Sequence, residues 1–275
     1  MTIFQEPKID CHTHVFDPAR FPYDPAIAYK PSGQEIGTAA QFRQVMKTYG
    51  VSHSLLVQPN SGYGSDNSCM LDAIAQDKDR LKGVAIIAFD ASLDDLRALK
   101  SQGIVGAAFN PTFHGNDYYK VAEPLIRRLA ELDMFMQIQS EHDQLLMYVP
   151  WIENIPVKVL IDHLGRPTPS AGLDQPGFKA LLQLAKTKRV SVKLSGYSKY
   201  SHGSYPFEDC WLYVRAVVDA FTLEHCLWAS DWPYLRAPER QDYGPLVELV
   251  ERLFPNANDR RALFQETPRR LFGFA

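Results

Sequence analysis

Short apolar runs rich in β-branched residues recur along the chain and alternate with amphipathic stretches. Eight of them read as strands: Ile9–Phe16, His53–Gln58, Lys82–Phe89, Ile104–Asn110, Met134–Gln139, Val157–His163, Val190–Ser195 and Cys226–Asp231. Their length and composition suit buried strands rather than long helices. Between them Phe42, Val45, Met46 and Tyr49 stand at i, i+3, i+4 and i+7. Val121, Leu125, Leu129 and Leu132 repeat the helical spacing, as do Leu246, Val250 and Leu253. Strands that alternate with helices pair in parallel through right-handed crossovers. Eight such units in 275 residues predict an α/β fold, a (β/α)8 TIM barrel made by a single domain over residues 1–275. A doubly wound dinucleotide fold would need a glycine-rich turn after the first strand, and none follows it. The Pro255–Phe274 segment predicts a terminal helix capping the barrel, with Leu263, Leu271 and Phe272 packed inward.

Composition narrows the function classes. At 45% hydrophobic and 22% charged residues the chain can bury a large core and is not a disordered segment. A formal charge of -3 leaves no basic face for nucleic acid. Cys11, Cys69, Cys210 and Cys226 are far apart and form no CxxC, so neither a disulfide framework nor a zinc knuckle is expected. Residues 1–7 lack the basic start and apolar run of a signal peptide, and no stretch approaches about 18–20 apolar residues. The expectation is a cytoplasmic protein with no membrane or nucleic-acid partner.

Two segments between elements stand out. Asp17–Gly33 carries Pro18, Pro22, Pro25 and Pro31, which excludes a regular helix after the first strand. Gly196–Pro206 follows the seventh strand and contains Tyr197, Lys199, Tyr200, His202 and Tyr205. In a barrel both lie at the face where active sites form.

The chemistry collects at strand ends. The first strand closes with Asp10-Cys11-His12-Thr13-His14, and alternation puts Asp10, His12 and His14 on one face. Two imidazoles so placed can hold one metal or one substrate oxygen, or can be no more than polar residues at a strand end. The sixth strand runs into Asp162-His163-Leu164-Gly165-Arg166-Pro167, where a buried histidine needs a partner and can simply be a satisfied core residue. The eighth ends Ser230-Asp231-Trp232-Pro233, a carboxylate flanked by Trp228 and Trp232. Such an aspartate is paired, catalytic or the cap of a following helix. Strands 1 and 8 of a barrel are neighbours, so His12, His14 and Asp231 are expected to converge, with His163 aimed at the same centre.

Together the Asp-x-His-x-His strand, the Ile-Asp-His-Leu-Gly-Arg-Pro block and the Ser-Asp-Trp-Pro block resemble the amidohydrolase superfamily. Within it they are similar to the branch containing 2-pyrone-4,6-dicarboxylate lactonase and sugar-acid lactonases. Phe16-Asp17-Pro18, Arg20-Phe21-Pro22-Tyr23, Tyr29-Lys30-Pro31 and Ser65-Asp66-Asn67 add to the likeness. The resemblance implies hydrolysis of a sugar-acid, pyrone or muconolactone-type lactone. Asp231 would be the general base for water, with His12, His14 and His163 polarising the carbonyl or binding metal. Tyr29, Asn60, Asn110 and Tyr197 are candidates for holding this small-molecule substrate.

Two departures from the family pattern refine that expectation. The fifth strand reads Met134-Phe135-Met136-Gln137-Ile138-Gln139, with glutamines where a metal-binding histidine is usual. A binuclear centre is therefore not expected. No metal is taken as obligatory, and a single divalent ion (Zn or Mn), if present, would use His12, His14 and Asp231. The segment after the fourth strand, residues 110–117, has no arginine to clamp a second carboxylate. A hydroxylated or singly charged lactone suits it better, with Lys193 and Arg166 available for one carboxylate. A metal-dependent decarboxylase of an aromatic or muconate-type acid and a lactone isomerase are the alternatives within the superfamily.

Overall fold

The computed structural model describes residues 2–275. Eight strands are present: β1 Lys8–Thr13, β2 Val51–Val57, β3 Leu81–Ala85, β4 Ile104–Phe109, β5 Phe135–Ile138, β6 Lys158–Ile161, β7 Val190–Leu194 and β8 Cys226–Trp228. In the sheet they follow one another in chain order, β1 to β8, with helices between them, the arrangement of the (β/α)8 class. The chain divides into two compact units. One comprises residues 2–86, 99–105 and 228–275; the other comprises 87–98 and 106–227.

In the first unit β1 pairs in parallel with β2, and β2 with β3. Thr13 also forms a parallel bridge to Trp232, just beyond β8. Its core includes Ile9, Cys11, Leu55, Leu56 and Val84, all essentially without solvent contact. In the second unit the ladders β4–β5, β5–β6 and β6–β7 put Phe109, Ile138 and Ile161 on one rung. Every residue of β1, β5 and β7 is buried. Strands covered on both faces read as apolar runs rather than alternations, which is why run length was the useful signal.

All eight expected strands exist, but four of them, β1, β3, β6 and β8, stop two to four residues short of the boundaries read from sequence, and the other four stop one short. The apolar runs continue past the last ladder bonds, and the backbone then turns. His163 (φ 52) and Asp231 (φ 62) are left-handed, so neither belongs to a strand.

The helix Ala39–Thr48 buries Phe42 and Met46 and starts with a capping box between Thr38 and Gln41. Glu123–Glu131 buries Leu125, Ile126 and Leu129. Val121 lies before that helix and is 65% exposed, because Pro124 sets the first turn after it. Tyr243–Leu253 buries Val247, Leu249 and Val250, so its inward face is rotated from the Leu246–Val250–Leu253 stripe. The C-terminal segment is helical from Ala257 to Phe272 through a π turn at Ala262–Glu266. Leu263 and Phe272 are buried there, whereas Leu271 is only half-buried. Residues 17–32 hold no helix, as their prolines require. The four cysteines are buried and form no disulfide. Among the described residues no helix is long and apolar enough to cross a membrane.

Candidate active site

The first unit brings together three of the four residues expected at the centre. His12 ends β1 fully buried, His14 follows at 7% exposure, and Asp231 lies at 6%. A backbone ladder joins the two segments: Asp231 N–H donates to His12 O (3.0 Å), and His14 N–H donates to Trp232 O (2.8 Å). The imidazoles of His12 and His14 stand edge to face, 4.9 Å apart. Both direct Nε2 toward Asp231 Oδ1, at 3.8 and 3.6 Å.

His14 Nδ1 lies 2.7 Å from Val57 O. A carbonyl oxygen only accepts, so Nδ1 carries the proton. Nε2 of a neutral His14 then presents a lone pair to a carboxylate. That opposition is relieved when His14 is protonated or when a cation lies between the two groups. Two ligands of one tetrahedral zinc ion sit roughly 3.4 Å apart, close to the separations seen here. Imidazole nitrogen plus carboxylate oxygen is a donor set that fits zinc or manganese.

Asp10 is the residue of this region whose use the alternation pattern did not reveal. Its buried carboxylate accepts from Ser230 N–H (2.9 Å), His12 N–H (3.3 Å) and Tyr243 OH (2.8 Å). It therefore brackets the end of β1 to the residue preceding Asp231. Burial raises its pKa to about 6, against the pull of those hydrogen bonds. Asp231 caps no helix: its carbonyl accepts from Tyr234 N–H, and the next helix begins at Tyr243. Its left-handed backbone, a cost of about 1–3 kcal/mol, is held by this bracket and by Trp232. The Trp232 ring stacks on Phe42 at 5.0 Å and covers Gly37, where a Cβ would fall 2.3 Å from it.

The second unit holds His163. Residues 163–166 all have positive φ, three of them non-glycine. The turn presents a buried imidazole whose Nδ1 lies 3.0 Å from Ser195 Oγ. Gly196 (φ +64) packs against its face, and a Cβ there would fall 2.4 Å from Nδ1. Neither Ser195 nor Gly196 was singled out from sequence; the signal was a Ser-Gly pair ending an apolar strand.

Asp162 is engaged differently. Its carboxylate takes Gln137 Nε2 at 2.9 Å and Lys193 Nζ at 3.0 Å, while Lys193 donates to Gln137 Oε1 at 2.7 Å. The three residues on β5, β7 and the end of β6 close a buried ring. Lys193 is thus committed to Asp162 rather than held for a substrate carboxylate. The glutamine found where a histidine is usual is used at both ends of its amide, donating to Asp162 and accepting from Lys193.

The weaker candidates are dispersed. Tyr29 donates its hydroxyl to Glu35, and the Arg236 guanidinium lies over its ring. Asn60 is buried at the end of β2 and accepts Gly64 N–H. Asn110 follows β4 and accepts from Gln139 Nε2 (3.3 Å) and from Thr112 Oγ. Tyr197 is buried and stacked on Phe207.

Comparison with known proteins places the chain in a family. The chain is 32% identical to the 4-sulfomuconolactone hydrolase of Rhizobium radiobacter, over 96% of this chain and 89% of that protein. It is 27% identical to the 2-pyrone-4,6-dicarboxylate hydrolase of Comamonas testosteroni, over 96% and 89%. The crystal structure of a probable 2-pyrone-4,6-dicarboxylic acid hydrolase from Acinetobacter baumannii, with citric acid bound, superposes with a TM-score of 0.86 at 27% identity. That match covers 97% of this chain and 99% of the other. The amidohydrolase family itself matches residues 9–274. With a buried His-x-His and an Asp231 carboxylate facing both rings, the chain belongs to the amidohydrolase family.

Proposed function

We propose that this enzyme opens a lactone ring by hydrolysis, with Asp231 as the base. The observation that carries the reading is the Asp231 carboxylate, buried and facing Nε2 of both His12 and His14. Two relatives whose names specify hydrolysis of acid-bearing lactones support it along nearly the whole chain. We extend it to a small lactone carrying one acid substituent.

In the proposed reaction a water molecule attacks the acyl carbon and gives its proton to the Asp231 carboxylate. The carbonyl oxygen takes up the negative charge. A protonated His14 donates to it through Nε2, since Nδ1 is already spent on Val57. Collapse of the tetrahedral intermediate breaks the ring C–O bond, and the departing alkoxide takes the proton back from Asp231, leaving a hydroxy acid. Tyr29 and Asn60 are the candidates of the first unit for holding the substrate.

No resident metal is obligatory in this scheme. Were a divalent ion held, His12, His14 and Asp231 would be its ligands. It would supply the charge that polarises the lactone carbonyl and acidifies water. A decarboxylase built on a further β5 histidine is disfavoured, because Gln137 is bound into the Asp162–Lys193 ring. Four buried thiols accord with a cytoplasmic setting.

The test is acid release from a panel of carboxylated, sugar-acid and neutral lactones, before and after exhaustive chelation, with Asp231→Asn in parallel. Turnover that survives chelation and disappears in a folded Asp231→Asn supports the scheme. Wild-type rates in that variant, or no turnover of any lactone, refute it.

A further inference from the structure

The loop after β8 carries a cation that the proposed chemistry has not yet used. Tyr234 N–H donates to Asp231 O (2.8 Å) and Ala237 N–H donates to Tyr234 O (3.1 Å), so two turns follow one another directly from the base. Arg236 sits in the second of them. A turn of this kind spans less than about 7 Å between its ends, which keeps the Arg236 backbone within roughly 14 Å of Asp231.

Three features pin this arginine. Its backbone is left-handed (φ 52), and its N–H donates to Glu35 Oε1 at 2.7 Å. Its guanidinium carbon lies 4.0 Å from the centroid of the Tyr29 ring, and the Tyr29 hydroxyl is itself bonded to Glu35. The long segment after β1 and the segment after β8 are thereby clasped at one point. Stacking fixes the plane of the guanidinium, which also interacts with the Tyr29 hydroxyl.

The contrast with other exposed arginines is informative. Arg20, Arg97, Arg127, Arg240 and Arg252 each neutralise a nearby carboxylate. Arg236 is equally exposed, yet among the described residues no carboxylate oxygen lies within 4.0 Å of its guanidinium nitrogens. A planar cation held in one orientation, with no carboxylate oxygen within 4.0 Å, on the loop that leaves Asp231, suits bidentate recognition of an anion.

We propose that Arg236, stacked on Tyr29, is the specificity residue that anchors the acid substituent of the lactone. The inference rests on the lactone-opening reading and deepens it. It assigns anion recognition to the loop after β8, whereas the segment after β4 has no arginine. Lactones with a ring-attached carboxylate or sulfonate are then preferred over neutral ones through KM, because the contact is the same in the ground state and the transition state.

The experiment compares kcat and KM of wild type, Arg236→Ala and Arg236→Lys on a five-membered lactone bearing a carboxylate and on its neutral counterpart. Circular dichroism checks the fold. The expected result is a KM for the carboxylated lactone raised roughly 10- to 100-fold in Arg236→Ala, with kcat nearly unchanged. The neutral lactone keeps its wild-type constants, and Arg236→Lys falls between. Equal losses on both lactones would make Arg236 only a clasp between loops and overturn the proposal, as would no effect on either. Calorimetric titration with glutarate separates the two levels of the argument. If no lactone is turned over but glutarate binds wild type at least 10-fold more tightly than Arg236→Ala, anion anchoring stands and lactone opening falls. Equal binding of glutarate removes the anchor.

Discussion

Replacing Gly196 by alanine puts a methyl group where the His163 imidazole lies. The new Cβ would fall 2.4 Å from Nδ1, 2.5 Å from Cγ and 3.0 Å from the histidine Cβ. Ordinary contact needs about 3.5 Å, so the ring must retreat by about 1 Å. Retreat is difficult because His163 is buried and sits in a left-handed turn. It also breaks the 3.0 Å contact with Ser195 Oγ. Overpacking of this kind costs about 1–3 kcal/mol, and a non-glycine residue at φ +64 adds about 1 kcal/mol. The sum, about 3 kcal/mol, lowers Tm by about 5–10 °C in a chain of this size. If His163 acts on substrate as expected, a 1 Å misplacement of its ring costs on the order of 10²-fold in kcat. Gly172→Ala is the control: its φ is +69, yet nothing lies within 4 Å of its Cβ, so it reports backbone strain alone. Thermal melts followed by circular dichroism, with kcat on a turned-over lactone, make the comparison. If Gly196→Ala melts and turns over like Gly172→Ala, the close approach to His163 has no consequence and the reasoning fails.

Asp10→Ala strands the Ser230 N–H and the Tyr243 hydroxyl in a buried place, and each orphaned donor costs about 1–3 kcal/mol. We expect a lower Tm and a fall in kcat larger than any change in KM, since the bracket positions Asp231; a kcat equal to wild type counts against that positioning role. Burial pushes the Lys8 ammonium down to about 8 from 10.5, although Phe4, Glu6 and Tyr49 carbonyls accept from it. A depressed lysine pKa means the unfolded chain holds more protons between pH 8 and 10.5, so stability rises with pH across that window, by up to about 3 kcal/mol. Urea melts at pH 7 and pH 10 should show that slope in wild type and a flatter one in Lys8→Met; parallel curves would contradict it.

Much of the fold was legible because parallel strands buried on both faces leave a signature in one dimension. Eight apolar runs could be counted without knowing what packs on what, and β-branched content told them from helices. Where the runs ended as strands was not legible, since ladder bonds depend on neighbours far away in the chain. Val121 shows the same limit: it keeps the helical spacing, but Pro124 starts the helix after it. Among the site residues, Asp-x-His-x-His and Ser-Asp-Trp were readable because titratable groups at the ends of apolar strands need a reason to be there. The meeting of His12, His14 and Asp231 followed from putting strands 1 and 8 side by side.

The sequence by itself determined the number and order of the elements and the candidate residues at the strand ends, for both are local consequences of composition and period. The tertiary structure alone decided how those residues are used. It put the His14 proton on Nδ1 by bringing up Val57 O, turned Lys193 away from substrate by closing its ring with Asp162 and Gln137, and laid Arg236 over Tyr29. Each of these depends on an atom contributed from more than 40 residues away, with the shorter 31-residue reach from Asp162 to Lys193 as the exception. Proton position and charge partnership are set by distances of about 3 Å, and periodicity along a chain carries no information at that scale.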